Sequence, residues 1–185
     1  MKTLIVYGTR YGATASTSEE IAKVLREENF DVNVVNAKEE KIKSISEYDL
    51  IVLGTGLQMG RWTGEAEDFL KKFKAELDAK KFALFVSTMK SVPEHEGDTK
   101  ALAETRKWDL DDKVTKWQLH PISVGFFGGV IDFNKMNFVT RKTFGSIRKK
   151  LEAEGFKESE HGVYELRNWE EIRAWTHELA RKARA

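Results

Sequence analysis

The chain has 185 residues, no cysteine, 31 Lys and Arg against 30 Asp and Glu, and is 41% hydrophobic and 33% charged. This composition suits one globular domain with a sizeable core. Without thiols, disulfides, thiolate metal sites and iron–sulfur clusters are excluded; the net charge of +1 singles out neither nucleic acid nor an anionic membrane.

Leu4-Ile5-Val6-Tyr7 is a continuous apolar run ended by Gly8. Such a run reads as a strand buried on both faces, as in parallel sheets. It is too short for a signal-peptide core, and no stretch reaches the length that spans a bilayer, so a cytoplasmic protein is expected. Thr14 to Glu28 carries an apolar stripe of Ile21, Ala22, Val24 and Leu25 and predicts a helix. Val32 to Val35 is a second strand, followed by a short helix. Leu50 to Leu53 is a third strand, stopped by Gly54-Thr55-Gly56. Gly64 to Leu77 places Phe69, Leu70, Phe73 and Leu77 on one helical face.

Phe82 to Ser87 is the fourth strand, Thr99 to about Trp108 a helix, and Ile122 to Val130 the fifth strand. Asn137 to Glu154 predicts one helix ended by Gly155, and Val163 to Leu166 a further strand. Asn168 caps a closing helix, with Glu171 as its capping-box partner and Ile172, Trp175 and Leu179 as its buried stripe. Alternating strands and helices predict an α/β fold, an open parallel sheet with helices on both faces. We expect a single domain over residues 1–185, with residues 133–166 inserted after strand five.

In such a sheet, ligands bind beyond the carboxyl ends of the strands, where the winding reverses. The first loop there is Thr9-Arg10-Tyr11-Gly12-Ala13-Thr14, leading straight into a helix. Thr9 and Thr14 offer hydroxyls, Gly12 permits close backbone approach, and the helix start favours a dianion. The loop lacks both the three glycines of a dinucleotide site and the Gly-Lys-Ser/Thr ending of a nucleoside-triphosphate loop. A hydroxyl-rich loop without lysine suits a terminal monoester phosphate.

This loop resembles the phosphate loop of flavodoxins, with the pattern Thr-x-Thr-Gly-x-Thr. Tyr11 stands where a hydroxyl residue is usual, leaving its backbone N–H as the contact there. The resemblance implies FMN as cofactor and a flavodoxin-like five-stranded sheet of order 2-1-3-4-5, with the extra helix inserted after strand five. It also implies that the loops after strands three and four hold the flavin ring. The loop after strand three contains Gly56, Leu57, Gln58, Met59, Gly60 and Trp62. Trp62 either stacks on the ring, worth about 0.5–1.5 kcal/mol beyond burial, or packs as a staple before the next helix. The loop after strand four offers Ser87, Thr88, Met89 and Lys90 to the ring edge or ribityl chain. His95 reads as a solvated loop histidine, with proton transfer the lesser alternative. Gly128 and Gly129, ahead of Asp132, mark either close approach to a ligand or a bulge.

The resemblance extends to a subset of flavodoxin-domain proteins that includes the menaquinone-dependent protoporphyrinogen dehydrogenases. It is carried by the opening Lys2 to Gly12, by Gly54-x-x-Leu57-x-Met59-Gly60-x-Trp62, by Gly128, Gly129, Asp132 and Phe133, and by Asn168-Trp169-Glu170. It implies an oxidoreductase that passes electrons from a porphyrinogen through FMN to a quinone or other acceptor. An electron carrier serving protein partners is the alternative. Carrier flavodoxins are usually strongly acidic, and the net charge of +1 argues against one here. In the insertion, Phe133, Met136, Phe138 and Phe144 mix with Lys135, Arg141, Lys142, Arg148, Lys149 and Lys150. Such a stretch either lies on an anionic membrane or packs its apolar side on the domain; the second is favoured, and substrate contact stays open.

Overall fold

The computed structural model describes residues 1–58, 60–89, 99–135, 145–153 and 155–185. The expectations at Met59, Lys90 and His95, and most of the basic stretch before residue 145, lie outside the described residues.

Five parallel strands form the main sheet: β1 (Lys2–Gly8), β2 (Asp31–Asn36), β3 (Leu50–Gln58), β5 (Lys81–Thr88) and β6 (Ser123–Gly128), in the order β2-β1-β3-β5-β6. This is the 2-1-3-4-5 order expected, with one addition. The short strand β4 (Arg61–Trp62) turns back on β3 as an antiparallel hairpin, pairing Leu57 with Trp62 and Gln58 with Arg61. Strands β1, β3 and β5 are apolar without alternation at their centres because helices cover both faces. One face buries Leu4, Val6, Ile51, Leu53, Leu84 and Val86 under α2 (Gly64–Leu77), with its Phe69, Leu70 and Phe73. The other buries Ile5, Val52, Phe85 and Phe127 under α1 (Ala13–Glu27) and the closing helix α6 (Trp169–Arg184), through Ile21, Leu25, Ile172 and Leu179. Asn168 caps α6, its Oδ1 accepting from the Glu171 N–H at 3.1 Å.

Four expectations are corrected. First, β3 does not stop at Gly54 but runs to Gln58, because β1 and β5 flank it: Gly54 pairs with Tyr7 and Phe85, and Gly56 with Ser87. Gly54 is needed there, since a Cβ would stand 2.4 Å from the Phe85 ring. Second, residues 37–49 hold turns instead of a short helix. The Ser44 hydroxyl accepts from the Ser46 N–H at 3.1 Å, a local bond that competes with helix.

Third, the helix read as ending near Trp108 continues. Helix α3 (Thr99–Arg106) passes through a π turn (Lys107–Asp111) into α4 (Asp112–Lys116). The turn leaves Trp108 68% exposed while Asp109 and Leu110 go inward. Fourth, strand five ends at Gly128, and Val130 belongs to a separate three-stranded antiparallel sheet. That sheet joins β7 (Val130–Asp132), β9 (Val163–Glu165) and β8 (Glu158–Glu160) in the order β7-β9-β8. Its core is Ile131, Phe133, Leu151, Tyr164 and Leu166. Helix α5 (Gly145–Ala153) supplies Leu151 to it; the rest of the helix expected from Asn137 lies outside the described residues. No described helix is long and apolar enough to cross a membrane.

Candidate functional site

The register brings the carboxyl ends of the central strands to one level: Gly8 beside Thr55, Gly56 beside Ser87, and Thr88 beside Gly128. The loops after β1, β3 and β5 therefore gather at one end of the sheet, at the point where the strand order reverses between β1 and β3.

After β1 the chain turns sharply into α1. Gly12 takes φ 96°, a conformation that side chains resist, and so starts the helix. The Gly12 N–H donates to Thr9 Oγ1 at 3.0 Å, which leaves the Thr9 hydroxyl proton free to point elsewhere. The Ser16 N–H closes the first helical bond to the Gly12 carbonyl at 3.2 Å. The N–H groups of Ala13, Thr14 and Ala15 meet no acceptor among the described residues, no side chain caps the helix, and its first turn contains no acid. A helix start with unpaired donors and no carboxylate is a ready anion site.

Thr14 is 1% exposed and faces β3: a Cβ at Gly56 would stand 3.3 Å from its Oγ1. Arg10 and Tyr11 are exposed. Below them, Ser87 is buried with its Oγ unpartnered. Thr88 is also buried, and Met89 is exposed beyond it. Free donors, an unpartnered buried hydroxyl and a glycine gap at 56 together fit a phosphorylated, hydroxyl-bearing cofactor.

The hairpin after β3 is fixed from beneath. Thr63 N–H donates to Thr55 Oγ1 at 3.1 Å, and the two hydroxyl oxygens lie 3.2 Å apart. Of the two readings of Trp62, ring face or staple, the structure supports the staple. Trp62 is 4% exposed in the core, and its indole N–H donates to the Asp109 carbonyl at 2.9 Å. The pairing of Arg61 with Gln58 turns the next residue, Trp62, inward onto the π turn, so Trp62 is the staple and offers no open face. Trp62→Phe is therefore expected to cost about 2 kcal/mol in denaturant unfolding, by orphaning a buried carbonyl. The same variant should leave the absorption band of bound flavin in place; a stacked tryptophan would give the reverse pattern.

Two further residues lie beside these loops. Asp109 is 4% exposed, and its Oδ1 would lie 3.9 Å from a Cβ at Gly60, against the hairpin tip. Lys113 stands 4.0 Å from that carboxylate and donates to the Trp108 carbonyl at 2.7 Å. Burial pushes the Lys113 amine below its usual range despite Asp109. The second is Arg167, just after β9. Its guanidinium donates to the Ala13 carbonyl at 3.3 Å and to the Ser16 hydroxyl, on the first turn of α1. No local pattern announces either residue.

Of the remaining expected residues, Gly129 lies beside Thr88 and Ala13 at the start of α1, while Gly128 and Asp132 meet other parts of the chain. A Cβ on Gly128 would be 1.9 Å from the Leu166 carbonyl oxygen, and one on Gly129 would be 3.4 Å from the Thr88 carbonyl oxygen. The close approach at Gly128 is thus to the chain's own backbone. Asp132 pairs with Lys135 at 3.3 Å and accepts from the Asn134 N–H at 2.9 Å. Arg148 of the basic stretch is engaged by Glu152 and Glu158.

A family model described as "Flavodoxin domain" matches residues 4–158. The chain is similar to the protoporphyrinogen IX dehydrogenase (quinone) of Escherichia coli K12, 28% identical over 85 residues, 46% of this chain and 47% of that protein. It is also similar to the protoporphyrinogen IX dehydrogenase (quinone) of Leishmania major, 24% identical over 149 residues, 80% of this chain and 62% of that protein. The matched stretch thus spans about half the length of the first and under two thirds of the second. Among solved structures, a short-chain flavodoxin associated with a non-canonical PDU bacterial microcompartment superposes with a TM-score of 0.59 at 13% identity, covering 99% of both chains. That likeness is one of fold.

Proposed function

The chain belongs to the flavodoxin-domain family, and from that premise we propose that it is an FMN-dependent oxidoreductase of the protoporphyrinogen-dehydrogenase type. Electrons pass from a reduced substrate through FMN to a quinone or another acceptor. Membership of the family makes FMN the cofactor and redox chemistry the business of the chain. The observation that carries the assignment of the site is the uncapped, acid-free start of α1 at the strand-order reversal.

In this reading the N–H groups of Ala13, Thr14 and Ala15 and the hydroxyls of Thr9 and Thr14 hold the phosphate. The gap at Gly56 and the buried hydroxyl of Ser87 receive the ribityl chain and ring edge. Backbone at Leu57 and Gly60 borders the ring, and the Thr55–Thr63 and Trp62–Asp109 bonds keep that hairpin from yielding. When bound, FMN would supply the reversible electron transfer of the reaction. The near balance of 31 basic and 30 acidic residues supports a protein with its own small substrate over a carrier that docks on basic partners. The similarity to two dehydrogenases supports a porphyrinogen as that substrate.

The test has two stages. Apo chain is titrated with FMN and quenching of flavin fluorescence is followed; saturable quenching is expected. The loaded protein is then given protoporphyrinogen and a quinone without oxygen, and porphyrin fluorescence should rise only with both present. FMN binding without turnover would make the chain a carrier. Absent quenching would remove the flavin reading altogether.

A further inference from the structure

The loop after β1 accounts for the donors of the anion site, but its charge is set from another part of the chain. Arg167 has a side chain only 7% exposed. Four partners surround it. Its Nε donates to Glu165 Oε1 at 2.7 Å and its second terminal nitrogen to Glu165 Oε2 at 2.5 Å, a two-pronged ion pair. Its first terminal nitrogen reaches the Ala13 carbonyl and the Ser16 hydroxyl. Its flat face lies 4.2 Å from the centroid of the Trp169 ring.

This placement is unfavourable in a chain with nothing at the site. The start of α1 already carries the positive end of the helix dipole, and a buried guanidinium beside it adds like charge. Glu165 offsets the cation, but a buried ion pair seldom gains more than its desolvation costs. The arrangement makes sense if a dianion sits at the helix start. Arg167 is then a held positive charge, and Glu165 sets how much of it the dianion feels.

We infer that Arg167, held by Glu165, is the positioning residue of the phosphate site: it fixes the first turn of α1 and gives the site its preference for a doubly charged phosphate. The inference rests on the proposed phosphate site at that helix start. It also ties the small sheet to the cofactor, since Glu165 closes β9 and the Leu166 N–H donates to the Gly129 carbonyl at 3.0 Å.

The test compares FMN with riboflavin, which lacks the phosphate, as two titrations of the full-length chain. The ratio of the two affinities reports the phosphate contribution alone. Arg167→Met removes the held positive charge and leaves Glu165 unpaired, and the ratio should fall about thirtyfold. Glu165→Gln frees the cation, and the ratio should rise several-fold. The double variant restores the balance of the pair and should return towards the native ratio, and Arg167→Lys should recover part of the loss. A merely structural brace would give a different pattern: every variant, Glu165→Gln included, would lower the ratio or leave it unmoved. Either result overturns the inference. If Arg167→Met does not fold, Glu165→Gln alone decides, because only a charge effect raises the ratio. Loss of the ratio already in the native chain, with riboflavin bound as well as FMN, would remove the phosphate site itself and the inference with it.

Discussion

Ala15→Asp should make the apo chain slightly more stable and its FMN affinity more than a hundredfold weaker. Ala15 is the third residue of α1, in a first turn without an acid. A carboxylate there meets the positive end of the helix dipole and is worth about 0.3–1 kcal/mol. The same carboxylate would face the proposed phosphate. A single charge facing a dianion at about 6 Å costs roughly 3 kcal/mol in a half-solvated setting, which is more than two decades in Kd. The two signs oppose each other, so misfolding cannot imitate the result. Thermal unfolding of the apo chain and fluorescence titration with FMN measure them separately. Unchanged FMN affinity would place the phosphate elsewhere.

Gly128→Ala should be the most damaging single-methyl change, costing about 3 kcal/mol or more in denaturant unfolding. Its Cβ would lie 1.9 Å from the Leu166 carbonyl oxygen, 2.5 Å from the carbonyl carbon and 3.0 Å from the Arg167 nitrogen. All three are backbone atoms, and neither side can swing away as a side-chain tip would. The small sheet must then shift as a body, drawing Glu165 and Arg167 from α1 with it. Gly129→Ala is the internal control: its nearest neighbour is the Thr88 carbonyl oxygen at 3.4 Å, and it should cost under about 1 kcal/mol. Equal effects at the two positions would mean that the small sheet yields easily.

What the sequence made legible is what its own short windows encode. The apolar runs at Leu4, Leu50 and Phe82, and the stripe from Ile21 to Leu25, depend on neighbours a few residues away, and they became the central strands and α1. The start of α1 was legible for the same reason: Thr9, Gly12 and Thr14 lie within six residues. Gly54-Thr55-Gly56 looked like a stop because glycine weakens an isolated strand; its partners in β1 and β5 outweigh that and lie far off in sequence. Trp62 reads as either a ring platform or a staple because aromatic residues in glycine-rich loops look alike whichever way they face. Its direction is decided by pairing with Leu57 and by a carbonyl 47 residues away. Arg167 reaches α1 across 154 residues of chain, and no periodicity records a contact of that kind.

The small sheet leaves the main one after Gly129 and rejoins it at Leu166, and those two residues are hydrogen-bonded to each other at 3.0 Å. The chain between them is therefore a closed excursion with both ends at one point. Its length can drift, or its content be exchanged, without changing the distance that β6 and α6 must bridge. Relatives that differ in what they act on can then differ in this cassette alone, swapped on a fixed hinge point, while the five strands beneath keep their order.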